Sequence, residues 1–447
     1  MQRKCGSGAS PTPRPQRRAA IDLVLLLLTA VRAVGGALPP DVTSLLTDVT
    51  HATGAVYGLR DDHGRSMDCV RVMRLPLPPP PPPLLSSSLA APAAPAGAPA
   101  STAATPAVTA AARAPAPLFL AVYHSLDAAT ATFNVHAAVS ADLLAWTWSA
   151  LVAPNADMPY LAADGSAAGT GAVVLLHEQW VGANSSAPCR VAARLFASAW
   201  AVARGEAPAA PVALKPQSLS ALEGTPNAFS FNALLDEVRY GFHFNDPASG
   251  RDQVAGGVLS GLAAGDARWQ AWPETAYDAA LSAEGAAGNI GGRDCVQLPA
   301  AAARCGGGGG TPALALQLQE ANVGAPPPAP TNWSAWRVFA LNRAAPLAGG
   351  FEQLRVATHG GSTAFGNPGV TLLAPASAAG GVKNAGAISA SAGAGAGGAT
   401  DAVVGATDAG LLVVSYFLFG EGAAPGEAGS LLFFWRLNCS TAEAAAA

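Results

Sequence analysis

Five stretches of this chain open on an acidic or amide residue and run on into apolar positions. They are DCVRVMR from Asp68, DMPYLAADG from Asp157, EGTPNAFSF from Glu223, DCVQL from Asp294 and NPGVTLL from Asn367. Each is followed by a second apolar run, LFLAVYHS, AVVLLHEQW, VRYGFHF, ALALQLQEAN and LLVVSYFLF in turn. Apart from a longer first step that takes in a Pro/Ala-rich tract, the spacing is roughly 70 residues, longer than a WD40 unit. Val, Phe, Tyr and Trp enrichment with period-2 patterning makes these runs strands. Phe133 to Ser140 and Val254 to Gly261 read as equivalent outer strands, each leading to a tryptophan. No segment sustains helical apolar spacing over three turns. The expectation is an all-β, five-bladed β-propeller, with one acidic or amide residue per blade at one end of a central cavity. Ser430 to Leu437 would be the last strand, and Gly54 to Arg60 the strand that closes the ring and removes an open edge.

Composition adds less. Charged residues make up 12% of the chain, about half the usual share, and the only lysines are Lys4, Lys215 and Lys383. A net charge of −4 with no basic face argues against nucleic acid as a partner. Low-complexity tracts at 75–117, 299–311 and 374–400 all fall between an opening strand and its partner run. Insertions confined to one kind of position mark loops on one face of a repeat protein.

At the N-terminus, Arg14, Arg17 and Arg18 precede the apolar run Leu23 to Val31, with small residues up to Ala37. This pattern predicts a signal peptide over 1–37, a secreted protein, and one propeller domain over 38–447. The run is too short for stable membrane insertion. Two alternatives stay open: an uncleaved signal-anchor, because Arg32 breaks the run only late, and an organelle transit peptide, because acids are absent before Asp22. Asn184, Asn332 and Asn438 head glycosylation sequons. Loss of Cys5 with the signal leaves Cys69, Cys189, Cys295, Cys305 and Cys439, an odd number, of which Cys295 and Cys305 could close a small loop. No Cys/His spacing supports zinc, and no cofactor is expected; a central metal ion has no support in the residues.

The acidic strand openings and the AVSADLLAW stretch at 138–146 resemble the five-bladed β-propeller glycosidases, the arabinanase, xylosidase and fructosidase-like families. That resemblance implies a carbohydrate partner and carboxylate chemistry. It would make Asp68 the base or nucleophile, Asp157 a pKa-tuning and substrate-orienting group, and Glu223, in its Glu-Gly-Thr-Pro setting, the general acid. Asp68 departs from the family pattern in being followed by Cys rather than Pro.

The chemistry stands without the name. Glycosidic cleavage needs one protonated carboxyl for the leaving oxygen and one ionised carboxyl to activate water or attack carbon. Crowding carboxyls in a cavity raises the pKa of one of them. The plainer alternative is that acids at strand starts cap turns and bind local amides, and Arg293 could neutralise Asp294. His177 and His243 end equivalent second strands and could meet sugar hydroxyls, as could His359 in its Gly-rich loop; each could equally be a packed residue. Glu178 could support the acids, and Trp180, directly after it, is the candidate aromatic platform. Two functions remain: a secreted glycoside hydrolase acting on a cell-wall or matrix polysaccharide, and a catalytically inactive propeller that binds glycans or a protein partner.

Overall fold

The computed structural model describes residues 38–76, 118–166, 169–182, 188–298, 314–343, 350–374 and 407–439. The expected signal peptide, most of the 75–117 and 374–400 tracts, Asn184 and Cys305 lie outside the described residues, as do the side chains of Asn438 and Cys439.

Among the described residues, twenty strands form five four-stranded antiparallel sheets, the blades of a five-bladed β-propeller. Blade I is β2 (Asp68–Arg74), β3 (Phe119–Asp127), β4 (Thr132–Ser140) and β5 (Thr147–Ala153). Blade II is β6 (Ala156–Ala163), β7 (Val173–Trp180), β8 (Cys189–Phe196) and β9 (Ala213–Leu214). Blade III is β10 (Glu223–Asn232), β11 (Glu237–Asn245), β12 (Asp252–Ser260) and β13 (Arg268–Pro273). Blade IV is β14 (Ile290–Leu298), β15 (Leu314–Asn322), β16 (Trp336–Asn342) and β17 (Glu352–Gln353). Blade V is β18 (Phe365–Leu373), β19 (Thr407–Leu418) and β20 (Gly429–Cys439), completed by β1 (Gly54–Tyr57) from the N-terminal side. The closing strand is where the alternation placed it, though shorter: the ladder runs from Gly54–Phe434 to Tyr57–Leu431. Helices are few and short: α1 (Pro40–Thr47), α2 (Ala199–Ala203) and α3 (Thr275–Ala283). None among the described residues is long and apolar enough to cross a membrane.

The apolar positions of facing blades fill the gaps between them. Val122, Val135, Val173, Leu175 and Phe196 join blades I and II, while Leu176, Val191, Tyr240 and Phe242 join II and III. The AVSADLLAW stretch is the β4–β5 turn. Asp142 Oδ1 accepts from the Leu144 and Ala145 amides, and buried Trp146 donates to the Leu143 carbonyl. These hydrogen bonds account for its Asp and Trp.

Innermost strands β2, β6, β10, β14 and β18 each break their ladder within the first few residues. In four of them the extra residue has positive φ: Cys69, Met158, Thr225 and Asn367. Such bulges bend the strand and turn its next side chain. They also fix which positions are equivalent. Asp68 faces His124, Asp157 faces Glu178, Gly224 faces His243 and Gly366 faces Phe417. In blade IV, Gly291 follows the Ile290–Ala321 pair and meets Glu320. The ring position is therefore held by Asp68, Asp157, Gly224, Gly291 and Gly366. This corrects the alignment read from sequence: Glu223 sits one residue before that position, Asn367 one after it, and Asp294 further along its strand. The bulge shifts register by a residue, which a period of roughly 70 cannot resolve.

Candidate functional site

The channel mouth, at the N-terminal ends of the inner strands, is held together by contacts between blades. Met158 N donates to His124 Nδ1 at 3.0 Å, and Thr225 N to Glu178 Oε1 at 2.5 Å. Gly292 N donates to Glu320 Oε1 at 2.5 Å, and Asn367 N to Glu320 Oε2. Three of these four join one blade to the next through an amide that the bulge has freed from its ladder. Two of the ring glycines follow from this. A Cβ at Gly224 would overlap the Glu178 carboxylate, and one at Gly291 would overlap that of Glu320. Glu178 and Glu320 thus act as clamps, as local-amide binding predicts for short acidic contacts.

The three proposed catalytic acids are placed in three different settings. Asp68 is half-buried, and its Oδ1 accepts from the hydroxyls of Ser66 (2.6 Å) and Ser430 (2.7 Å). Asp157 is buried, with Oδ1 unpartnered. Burial, then the neighbouring Glu178 carboxyl, pushes its pKa well above the ordinary aspartate value. Glu223 is wholly buried. Its Oε2 meets Lys215 Nζ at 2.5 Å, and its Oε1 accepts from the amides of Ser218 (2.9 Å), Leu219 (2.6 Å) and Ser220 (3.3 Å). The adjacent Gly224 faces Glu178; by strand alternation Glu223 points the other way. The structure therefore brings Asp157 together with Glu178 and withholds Glu223, whose proton-donor role would have to compete with a buried ammonium.

Asp294 lies deeper in the channel and is wholly buried. Its partner is Arg71 from blade I, at 3.5 Å, rather than Arg293. Arg293 instead pairs with Glu274 and bonds Asn227 Oδ1 at 3.0 Å. Asp294 also accepts from Tyr160 Oη (2.7 Å), Cys295 N (2.6 Å) and Val370 N (2.8 Å). Burial raises its pKa while Arg71 opposes the rise. This cluster crosses the axis and belongs to the scaffold.

The histidines divide in the same way. His177 is wholly buried, with Nδ1 against the Glu178 carbonyl and Nε2 accepting from Arg194, so it cannot meet a sugar; burial lowers its pKa to about 4. His359 is exposed but lies beside Tyr57 on the closing strand, away from the channel. Its Gly-rich loop is tied down by Glu427, which accepts from Thr358, Ser362 and the Gly360 amide. His243 stays at the ring, half-buried, with Nδ1 unpartnered. Half-buried Trp180 ends β7 at the mouth.

Sequence reasoning favoured Trp180 as the platform and did not single out the aromatic group at this end. Trp333 is 45% exposed and lies 5.2 Å from Phe419, which stacks on Trp336 at 5.8 Å. Trp333 leads into β16 and Phe419 follows β19, both at the mouth, and Phe419 covers Gly366 of the ring. The exposed glycosylation candidate Asn332 caps the short turn that carries Trp333. Among the described residues, no group of three or more His, Cys, Asp or Glu side chains is arranged to hold a metal ion.

No protein-family model matches the chain, and no curated protein matches it. Solved structures similar to it include a thermostable family-43 glycoside hydrolase (TM-score 0.37, 10% identity, covering 71% of this chain and 85% of that one). Others are an α-L-arabinofuranosidase from Fusarium graminearum (0.37, 10%, 72% and 90%) and an α-L-arabinanase from Cellvibrio cellulosa (0.34, 8%, 74% and 93%). These neighbours are glycoside hydrolases, the group that the motifs resemble, and the likeness is one of fold.

The Asp157–Glu178 pair gives a pH signature. Folding raises the Asp157 pKa, so its contribution to stability is fully present below the ordinary value near 3.9 and is lost as pH rises toward the folded value. Asp157→Asn is expected to raise Tm at neutral pH by about 2 °C or more and to flatten the decline that the wild type shows above about pH 4. Parallel melting curves that never diverge with pH would refute the raised Asp157 pKa.

Proposed function

We propose that this is a secreted carbohydrate-binding propeller that holds its ligand at the channel mouth, without three-carboxylate hydrolysis. The observation that carries this reading is the commitment of Glu223 to Lys215 and the 218–220 amides. Beside it, the Trp333–Phe419 surface offers the flat apolar face that sugar C–H groups pack against, and Asp157, His243 and Trp180 supply polar edges. One specific observation favours a second reading. Burial and the Glu178 carboxyl raise the Asp157 pKa, which favours the protonated state a leaving oxygen needs, with Asp68 on the neighbouring blade as the second carboxyl.

The test is calorimetry with neutral arabino- and xylo-oligosaccharides, alongside turnover of a nitrophenyl-glycoside panel. Saturable binding without turnover is expected, and Trp333→Ala should weaken it about tenfold, equivalent to ~1.4 kcal/mol. Turnover abolished by both Asp68→Asn and Asp157→Asn, with binding kept, would replace this reading by the hydrolase.

A further inference from the structure

A second cavity lies away from the channel, at the mouth-side edge of blade I. Its volume is about 560 Å³, and it is bounded by the β3–β4 hairpin, β5 and the segment before β2. Arg65, Asp127, Asn134, His136, Trp148 and Leu151 line it. That volume falls within the range of small-molecule sites, roughly 300–1,000 Å³. We propose that this cavity is a separate binding site for a neutral sugar ring, recognised by the His136 Nε2–H, the Asn134 amide and the Trp148 wall.

The hydrogen-bonding pattern supports this assignment. Trp148 Nε1 donates to His136 Nδ1 at 3.3 Å, so the neutral ring carries its proton on Nε2. His136 is 7% exposed, and Nε2 is the polar atom left to it for the cavity that it lines. Burial, with Arg65 adding to it, lowers the His136 pKa to about 4, which keeps the ring a neutral donor at ordinary pH. Asn134 Oδ1 accepts from Asn155 N at 2.9 Å, which fixes the side chain and leaves its NH₂ as a donor. Asp127 supplies an acceptor at the hairpin.

Trp148 is clamped before any ligand arrives. The His63 ring stacks on it with centroids 5.0 Å apart, and the Arg65 guanidinium lies 5.2 Å from its centroid. Leu126 and Leu151, each about half exposed, form an apolar rim for sugar C–H groups.

Charge argues against an anion. Arg65 is paired with Asp61, which also accepts from Tyr123 Oη at 2.5 Å, and Asp127 adds a further negative charge. No net positive charge remains to hold a uronate, sulfate or phosphate, and the N–H donors do not suit a cation. Donors, an acceptor and an apolar rim together match an uncharged polyol.

The inference does not rest on binding at the channel mouth, and the test separates the two. Neutral xylo- and arabino-oligosaccharides, with galacturonate oligomers as the charged probe, are titrated calorimetrically into full-length Trp333→Ala protein. A saturable site for a neutral probe whose affinity Trp333→Ala leaves unchanged is expected. Leu151→Trp fills the cavity from an exposed position on an edge strand, and should reduce that binding at least tenfold with Tm unchanged. His136→Asn keeps an acceptor for Trp148 but deletes the Nε2 donor, and should weaken binding by a similar factor. The proposal is overturned if no neutral-probe site keeps its affinity in the Trp333→Ala protein, if Leu151→Trp leaves that site intact, or if galacturonate binds it as tightly as the neutral probes. If wild type and Trp333→Ala bind alike, and Leu151→Trp abolishes both, the channel reading fails and this one stands.

Discussion

Lys215→Met is expected to remove about 3–5 kcal/mol of folding stability, a large share of the ~5–15 kcal/mol of a typical fold. Lys215 is 1% exposed, and its ammonium touches Glu223 Oε2, the Ser218 hydroxyl and the Pro216 carbonyl, with the Phe242 ring 4.8 Å away. Methionine keeps the length of the chain but leaves a wholly buried carboxylate unpaired. The cost of stripping one partner from a buried pair exceeds the net worth of the pair, because desolvation has already been incurred on both sides. Replacing both residues, Lys215→Met with Glu223→Leu, should therefore recover part of the loss, limited by the three amides that Glu223 also serves. Urea denaturation of the two variants decides the matter. A cost below about 1 kcal/mol for Lys215→Met would mean a solvated, surface-like pair, and would return Glu223 to the catalytic candidates.

Gly291→Ala is expected to cost about 3 kcal/mol or more. The new Cβ would occupy the place of Glu320 Oε1. Glu320 has no room to yield: it is 5% exposed, and its two oxygens hold the Gly292 and Asn367 amides. Moving it strands two buried donors, each costing about 1–3 kcal/mol, and unclips blade IV from blade V. Gly420→Ala is the control, since a Cβ there meets nothing within 4 Å. If chemical denaturation gives the two variants equal stability, the clamp does not hold the blades.

The architecture was legible because strands alternate with period 2 and recur with the blades; Gly54 to Arg60 could be named as the closing strand, of which the structure uses Gly54–Tyr57. The site was less legible, for a reason visible at Glu223. An acid before a Gly-Thr-Pro bulge looks the same in sequence whether its carboxyl faces the axis or turns back between the blades, and one residue of register decides which. Asp294 misled similarly. Its sequence neighbour Arg293 faces away toward Glu274, while its true partner Arg71 comes from blade I, across the channel. Lys215 did leave a trace, as one of three lysines in the chain, close before Glu223. The Trp333–Phe419 pair left none, because its members come from different blades.

Closing blade V with β1 has a consequence for how the chain acquires its shape. Blades I to IV pair strands that are near in sequence and can zip up as they emerge. The last sheet must join partners such as Thr53 and Arg436, 383 positions apart. Contacts of that span form late, after the loop entropy of everything between them has been met. Until β20 is made, the growing protein is an open fan with the edge of one sheet uncovered. Any aggregation during synthesis is therefore expected to be concentrated in that interval.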